Sequence, residues 1–284
     1  MSLLQLFLMS ALQGVTEWLP ISSSAHLLIA ADYFGLVGRD EILVNAMAHV
    51  GTLFSLLAYF WRDVSRAISG GFELVAAPFR KVALSSGAKL ALHILVATPF
   101  ALLAGVALTQ MPDSLRDTLR SPYTVAASTI IFGIALLWAD VKGGKDRTED
   151  DMTMRHAVII GATQAIAALI PGTSRSGITM TTARAFGYAR TEAARFSMLI
   201  GAPLLAAGGL FAFMELAHAE TIGALTLHDG LIVAAFSFIT GFFSIWGLMA
   251  LLKRMSFLPF VLYRFALGAA LLLISPLGLG LIVA

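Results

Sequence analysis

Six long apolar stretches constrain the fold of this chain more than any other feature. Each has about 20 residues or more, the length that a helix needs to cross the hydrocarbon of a bilayer. They cover residues 42–61, 90–111, 121–139, 196–214, 230–252 and 257–283. Of the 284 residues, 58% are hydrophobic and only 13% are charged, whereas soluble domains carry about 25% charged residues. We therefore expect an all-α polytopic membrane protein. The composition excludes a soluble enzyme, a disordered chain and a nucleic-acid partner.

Two further apolar stretches, 2–31 and 156–183, are interrupted by helix breakers and polar side chains. The interrupting residues are Glu17, Pro20 and Ser22–Ser24 in the first stretch, and Pro171, Gly172 and Arg175 in the second. Irregular backbone at membrane depth is tolerated only inside protein or beside water. Each stretch therefore predicts a re-entrant hairpin, two half-length helices joined by a polar turn. Because the first residues carry no basic segment or cleavage site, we expect 2–31 to belong to the mature fold.

The two hairpins look like copies of one another. A shift of 151 residues places Gln13 on Gln164, Pro20 on Pro171 and Ser23 on Ser174. Each hairpin is followed by three spans, and an odd number makes the second copy enter from the opposite face. The pattern predicts an inverted-topology repeat with six transmembrane helices and two re-entrant hairpins. The repeats are residues 1–140 and 153–284, within one integral membrane domain.

The basic residues agree with this topology when the N-terminus is placed outside. Fourteen Lys and Arg residues then lie in inner segments and three in outer segments, which is a positive-inside distribution. The inner set is Arg62, Arg66, Arg80, Lys81, Lys89, Lys142, Lys145, Arg147, Arg155, Arg184, Arg190, Arg195, Lys253 and Arg254; the outer set is Arg39, Arg116 and Arg120. The first hairpin should open outward and the second inward.

The first hairpin carries a set of groups suited to chemistry. Gln13 and Glu17 are four residues apart and share one helix face, and a carboxylate in an apolar segment indicates a functional site. The hydroxyls at 22–24 and His26 follow. Structural alternatives stay open, because Glu17 could pair with a buried Arg, a serine could cap the returning helix, and His26 could be a buried hydrogen-bonded histidine.

The second hairpin has the composition of a phosphate site. Its polar residues are Gly172, Thr173, Ser174, Arg175, Ser176 and Thr179. A helix N-terminus, a glycine that permits close backbone approach and a planar guanidinium all favour an anion. The alternative is that Arg175 only neutralises Glu17.

Three polar residues in the spans are expected to be structural. His49 and Asn45 lie one turn apart in the first span and are interpreted as a hydrogen-bonded pair, although they could line the site. Arg264 lies about 10 Å into the last span at 1.5 Å per residue. We expect it to snorkel to the interface or to form an ion pair.

The segments GVTEWLPISSSAH and PGTSRSGITMT together resemble the bacterial undecaprenyl-diphosphate phosphatases of the bacitracin-resistance type. The resemblance also covers HVGTLFSLLAYFWRD, RTEAARFSMLIGAP and the Tyr-Arg of LYRFALG, and so extends over nearly the whole chain. The family motif Glu/Gln-x-x-x-Glu is met by Gln13 and Glu17. The motif Pro-Gly-x-Ser-Arg-Ser-x-x-Thr is met from Pro171 to Thr179. The family also has a Ser and a His after its first motif, and these are met by Ser23 and His26. Gln13 in place of Glu removes one metal-binding carboxylate.

The resemblance implies removal of the terminal phosphate of undecaprenyl diphosphate, which recycles the lipid carrier for peptidoglycan. It further implies Mg2+ or Ca2+ as cofactor, a multi-pass location in the bacterial cytoplasmic (inner) membrane, a site open to the outer face, and competition by bacitracin for the substrate. It leaves a homodimer open.

The expected roles follow from the chemistry of phosphoryl transfer, which needs positioning and charge neutralisation. Arg175 clamps the diphosphate together with the turn around Gly172. Glu17 serves as general base or metal ligand. Ser23 is the preferred nucleophile with His26 as its proton partner, and His26 as nucleophile is the alternative. The remaining hydroxyls and amides are expected to bind substrate: Gln13, Ser24, Thr173, Ser174, Ser176 and Thr179. The rival function is a polyprenyl-phosphate flippase or transporter, since inverted repeats are typical of transporters.

Overall fold

The computed structural model describes residues 2–35, 38–76, 83–144, 146–218 and 225–274, and within these ranges the chain is helical. Its elements are α1 Leu3–Trp18, α2 Ser23–Phe34, α3 Gly38–Tyr59, α4 Trp61–Ala76, α5 Ser86–Ala97, α6 Pro99–Thr109, α7 Asp113–Arg120, α8 Pro122–Lys142, α9 Met154–Leu169, α10 Arg175–Ala185, α11 Arg190–His218, α12 Leu227–Leu252 and α13 Leu258–Ile274. One isolated bridge, between Arg147 and Tyr188, is the only β-type pairing in the described part of the chain.

Five helical stretches are long and apolar enough to cross a membrane. They are Asp40–Tyr59, Ser86–Thr109, Pro122–Lys142, Arg190–Met214 and Leu227–Leu252, and they match five of the six predicted spans. The predicted span 257–283 coincides with α13 as far as Ile274, and residues 275–283 lie outside the described ranges, as do Arg80, Lys81 and Lys145. The chain is therefore an all-helical, multi-pass membrane protein.

Both interrupted stretches fold as two half-length helices with an irregular turn. α1 ends at Trp18 and α2 begins at Ser23, while α9 ends at Leu169 and α10 begins at Arg175. Proline stands in each turn, where it removes a backbone donor and cannot continue the helix. Helices α1 and α2 pack against each other, and so do α9 and α10.

The two turns correspond in detail, with a one-residue correction to the predicted alignment. The first turn has four residues, 19–22, and the second has five, 170–174. Ser22 and Ser174 each stand directly before the returning helix with positive φ, 75° and 68°. Each also has its hydroxyl 3.2 Å from the hydroxyl two residues on, Ser24 or Ser176. The predicted pairing of Ser23 with Ser174 is therefore wrong by one residue, and Ser23 corresponds to Arg175.

Two helices were not predicted from the sequence. α4 follows the first span and packs against α5, and α7 is a short polar helix before α8. On α4, Asp63 accepts hydrogen bonds from Arg195 at the start of α11, at 2.7 and 2.9 Å. Burial alone would raise the pKa of Asp63, but hydrogen bonds and charge from Arg195 and Arg66 hold it below its usual value. These ion pairs fix α4 to the beginning of α11.

A buried carboxylate, Asp140, fixes the ends of the helices that surround the second turn. Arg184 of α10 and Arg190 of α11 donate to it at 3.1 and 2.7 Å. The backbone N–H of Phe257, just before α13, donates at 3.0 Å. With three donors the carboxylate is fully compensated, which a buried charge requires.

Candidate active site

The carboxylate of Glu17 lies where the two helix breaks meet. It stands in the last turn of α1 with 8% of its surface exposed. Arg175 donates from Nη2 to Oε1 at 2.8 Å, and Ser23 donates from Oγ to Oε2 at 2.9 Å. Gln13 donates from Nε2 to Oε2 at 3.1 Å. The structure thus brings together four predicted site residues, three from the first hairpin and Arg175 from the second. The pairing of Glu17 with Arg175 agrees equally with the catalytic and the counter-ion interpretations.

The guanidinium of Arg175 is held by helices on several sides. Its Nη1 donates to the carbonyl of Ser197 at 3.1 Å, and its Cζ lies 5.6 Å from the ring centroid of Trp18. One turn beyond Ser197 on α11 lies Gly201, where an ideal Cβ would lie only 1.9 Å from Nη1. Because any side chain there would occupy the space of the guanidinium, the glycine is what admits Arg175 to its position. Sequence analysis did not single out Gly201, because a glycine in an apolar span gives no signal until its neighbour is known.

Arg264 connects the two turns, which corrects the expectation of snorkelling or an ion pair. The side chain is fully buried and donates to backbone carbonyls. These are the carbonyls of Thr129 at 2.9 Å, Thr173 at 3.0 Å, Gly172 at 3.1 Å, Pro20 at 3.3 Å and Ser128 at 3.5 Å. A broken helix leaves carbonyls without a helical partner, and a guanidinium offers five donors in a fixed plane. Arg264 therefore satisfies the backbone that the breaks expose.

The hydroxyls of the second turn mostly bond to protein. Ser174 accepts from the N–H of Gly177 at 3.1 Å, and Ser176 donates to the carbonyl of Leu19 at 3.0 Å. Thr179 lies 2.6 Å from the hydroxyl of Ser197. Thr173 is fully buried and its hydroxyl has no hydrogen-bond partner among the described residues.

Gly172 is a glycine for a conformational reason. Its φ is +86°, and an ideal Cβ would lie 2.3 Å from the hydroxyl of Ser128. The turn can therefore approach α8 only without a side chain at this position. Together with the bonds of Ser174 and Ser176, this makes the second turn a tightly packed structural unit around Arg175.

His26 does not pair with Ser23 in the described structure. Its Nδ1 lies 2.7 Å from the carbonyl of Ser22, and its Nε2 lies 2.6 Å from the hydroxyl of Tyr263. A carbonyl only accepts, so Nδ1 carries the proton and Nε2 accepts from Tyr263. The hydroxyl of Ser23 donates to Glu17 instead. The base within reach of Ser23 is therefore the carboxylate.

A cavity of about 330 Å³ opens beside this cluster. The cavity is lined by Ser23, Ser24, Asn45 and His49, and the second turn contributes Pro171 to the lining. Ser23 is the residue that both lines the cavity and contacts Glu17. His49 donates from Nδ1 to the backbone carbonyl of Asn45 at 2.6 Å, so the predicted bond forms with the main chain and not with the amide side chain.

Three charged residues with no role assigned from the sequence also line the cavity: Glu41, Arg116 and Arg120. The two arginines lie on α7, which the sequence analysis interpreted only as an outer connection. The sequence pattern that could have indicated them is their spacing, because residues four apart on a helix face the same side. They return below.

Metal ligands near the cluster are few. In the ranges that the structure describes, no three His, Asp or Glu side chains are grouped so as to hold an ion. Beside Glu17, however, the Oε1 atom of Gln13 is buried without a hydrogen-bond partner. One carboxylate and one unpaired amide oxygen are the hard ligands available, and Mg2+ is often held by one or two carboxylates together with waters and substrate phosphates.

The fold and the site define a multi-pass helical membrane protein with an acid–arginine–serine cluster at two facing helix breaks. The model of the family "Bacitracin resistance protein BacA" matches residues 6–270, and the chain belongs to this family. Relatives named undecaprenyl-diphosphatase include one from Hyphomonas neptunium, 60% identical over 283 residues and 99% of both chains. The relative from Jannaschia sp. is 42% identical over 97% of this chain and 99% of its own. The relative from Maricaulis maris is 43% identical over 96% of this chain and 98% of its own.

Proposed function

We propose that Ser23, Glu17 and Arg175 carry out the reaction of this chain, the hydrolysis of undecaprenyl diphosphate to undecaprenyl phosphate and phosphate. The activity itself follows from family membership and from the full-length relatives. It makes the chain a hydrolase that recycles the lipid carrier. The observation that supports these residues is the position of Ser23, which lines the cavity and whose hydroxyl donates to Glu17 at 2.9 Å.

In the proposed reaction Glu17 is the general base and Ser23 the nucleophile. Oε2 of Glu17 takes the proton of Ser23 as Oγ bonds to the terminal phosphorus. The bond from that phosphorus to the bridging oxygen breaks, and undecaprenyl phosphate leaves with the bonding pair and takes the proton from Glu17. Water then attacks the phosphoserine while the ionised Glu17 takes a proton from it. The bond from phosphorus to Oγ breaks, phosphate is released, and Glu17 returns the proton to Oγ of Ser23. Since His26 is bonded to Ser22 and Tyr263, we assign it to the orientation of the first turn and not to nucleophilic attack.

Arg175 supplies positive charge where phosphate oxygens gather charge. Its guanidinium has a planar fork that matches a phosphate edge, and it already touches the base. We propose that the fork exchanges its contact with Glu17 for the terminal phosphate when substrate binds, which frees a carboxylate oxygen. Ser24 lines the cavity and is proposed to donate to the same phosphate. Ser174, Ser176, Thr179 and Gly172 hold the turn that presents Arg175.

A divalent cation, Mg2+ or Ca2+, is proposed as cofactor. The carboxylate of Glu17 and Oε1 of Gln13 would hold it, since hard oxygens suit these ions. When bound, it would neutralise charge on the diphosphate.

The proposed topology is the inverted repeat, with hairpins 2–31 and 156–183 entering from opposite faces of the bacterial inner membrane. The matched turns and the fourteen-to-three distribution of Lys and Arg support it. The cavity then opens to the outer face, and bacitracin would compete there for the diphosphate lipid. The homodimer stays a prediction. The comparisons give the flippase alternative no support, and it is not proposed.

Phosphate release from undecaprenyl diphosphate by the purified protein in detergent tests the assignment. We expect release by the wild type, loss of release with EDTA and recovery with Mg2+. Glu17→Gln should abolish release because it removes the base at nearly constant shape. A folded Glu17→Gln protein with normal turnover would contradict the role of Glu17, and release that is insensitive to EDTA would contradict the cofactor.

A further inference from the structure

The cavity beside Ser23 has a second charged wall that the proposed reaction does not use. Arg116 and Arg120 of α7 line it together with Glu41 of α3. Residues four apart on a helix lie about 6 Å apart along its axis and face the same side. Two like charges in that relation repel each other, and an anion between them would remove the repulsion.

The hydrogen bonding of this wall is incomplete. Nη2 of Arg116 donates to Asp113, whose side chain is 85% exposed. The Nε atom of Arg116 is buried and has no hydrogen-bond partner among the described residues. A buried donor without a partner is costly, and this one belongs to an arginine that lines the cavity. Arg120 is exposed, and its charge interacts with that of Glu41.

We propose that Arg116 and Arg120 form a capture site for the diphosphate headgroup, which it occupies before its terminal phosphate reaches Ser23. The inference rests on the phosphatase function of the chain. The cavity of about 330 Å³ has room for about ten waters at their liquid volume, which is ample for a diphosphate. Arg120 is an exposed residue of its lining, and Ser23, which is less exposed, is the lining residue that contacts Glu17.

Glu41 sets the strength of this site. It is the acidic residue of the cavity wall, and its charge interacts with that of Arg120. Of the charged residues that line the cavity, two are arginines and one is a carboxylate, so its lining carries one net positive charge; Asp113, which pairs with Arg116, lies outside that lining. A net charge at an open mouth attracts a multivalent anion and is weakened by salt.

The test is steady-state phosphate release in a nonionic detergent at low and high salt. Arg120→Ala and Arg116→Ala should each raise KM roughly tenfold with kcat within twofold, because a contact made equally in the ground and transition states affects KM alone. The two lysine variants keep the charge and should recover most of the loss. Glu41→Gln should act oppositely and lower KM. Arg254→Ala, an exposed arginine outside the cavity, is the matched control.

A competition arm separates the headgroup from the bilayer as the source of the anion. Inorganic pyrophosphate should inhibit the wild type competitively, and at least fivefold more weakly in the double alanine variant. Phosphatidylglycerol added to neutral micelles should affect both proteins equally. The capture site is refuted if KM is unchanged in folded variants, if kcat falls instead, if Arg254→Ala gives the same rise, or if only phosphatidylglycerol distinguishes the proteins. A wild type that releases no phosphate would instead contradict the phosphatase function.

Discussion

Replacing Gly201 by alanine tests whether the placement of the Arg175 guanidinium sets the rate of hydrolysis. The added Cβ would lie 1.9 Å from Nη1 and 2.5 Å from Cζ of Arg175. Non-bonded heavy atoms rest about 3.5–4.0 Å apart, so the guanidinium must retreat by about 1.5 Å. A misplacement of about 1 Å commonly costs about 100-fold in rate. We therefore expect kcat to fall about 100-fold, or about 2.7 kcal/mol in the activation barrier.

The same helix provides the control for this experiment. Gly208 of α11 has no atom within 4 Å of an ideal Cβ, so Gly208→Ala should keep full activity and gain slightly in helix stability. The assay is phosphate release at saturating substrate, with the thermal midpoint in detergent as the measure of folding. Activity of Gly201→Ala within twofold of the wild type, or an equal loss in Gly208→Ala, would refute the reasoning.

A double variant separates displacement of the guanidinium from general damage to α11. Arg175→Lys keeps the charge but loses the bidentate fork, and we expect at least roughly a tenfold loss in kcat from it alone. If alanine at residue 201 acts by displacing the fork, adding it to Arg175→Lys should cost little more, since residues that act as one unit are not additive. A further 100-fold loss in the double variant would show that Gly201 acts elsewhere.

Three further outcomes are expected. Ser23→Ala should lower kcat by several orders of magnitude, whereas His26→Ala should act mainly through stability; the reverse result would make His26 the nucleophile. Arg264→Lys should lower the thermal midpoint by several degrees, because each buried carbonyl left without a donor costs about 1–3 kcal/mol; an unchanged midpoint would show that water satisfies the turns. On this chain, which has no Cys, single cysteines in place of Arg66 and Arg116 should be labelled from opposite faces of the membrane, and labelling of both from one face would contradict the inverted repeat.

The parts of the fold that depend on length and composition were predictable from the sequence. A run of about 20 apolar residues has few structures other than a spanning helix, so five spans lie where the hydropathy places them. Pro20 and Pro171 likewise mark both breaks. The meeting of Glu17 with Arg175 was foreseeable, because two opposite charges in apolar segments gain most by pairing.

The parts that depend on neighbours were not predictable. The second turn holds one residue more than the first. A sequence alignment without a gap does not account for this extra residue and therefore pairs Ser23 with Ser174. Arg264 was expected near the interface because its carbonyl partners belong to segments distant in sequence. α4 was overlooked because it is too polar to cross a membrane. It is an amphipathic helix that packs Val64 and Ala67 against the core and is held to α11 by ion pairs.

The pair of Glu17 and Arg175 joins residues that lie 158 positions apart on different hairpins. The acid and the cation therefore belong to hairpins that are synthesised one after the other. Under the proposed topology, a chain that inserted one hairpin from the wrong face would leave both charges without their partner. Under the proposed mechanism the same contact is needed for catalysis, so correct insertion and activity would depend on one pair of residues.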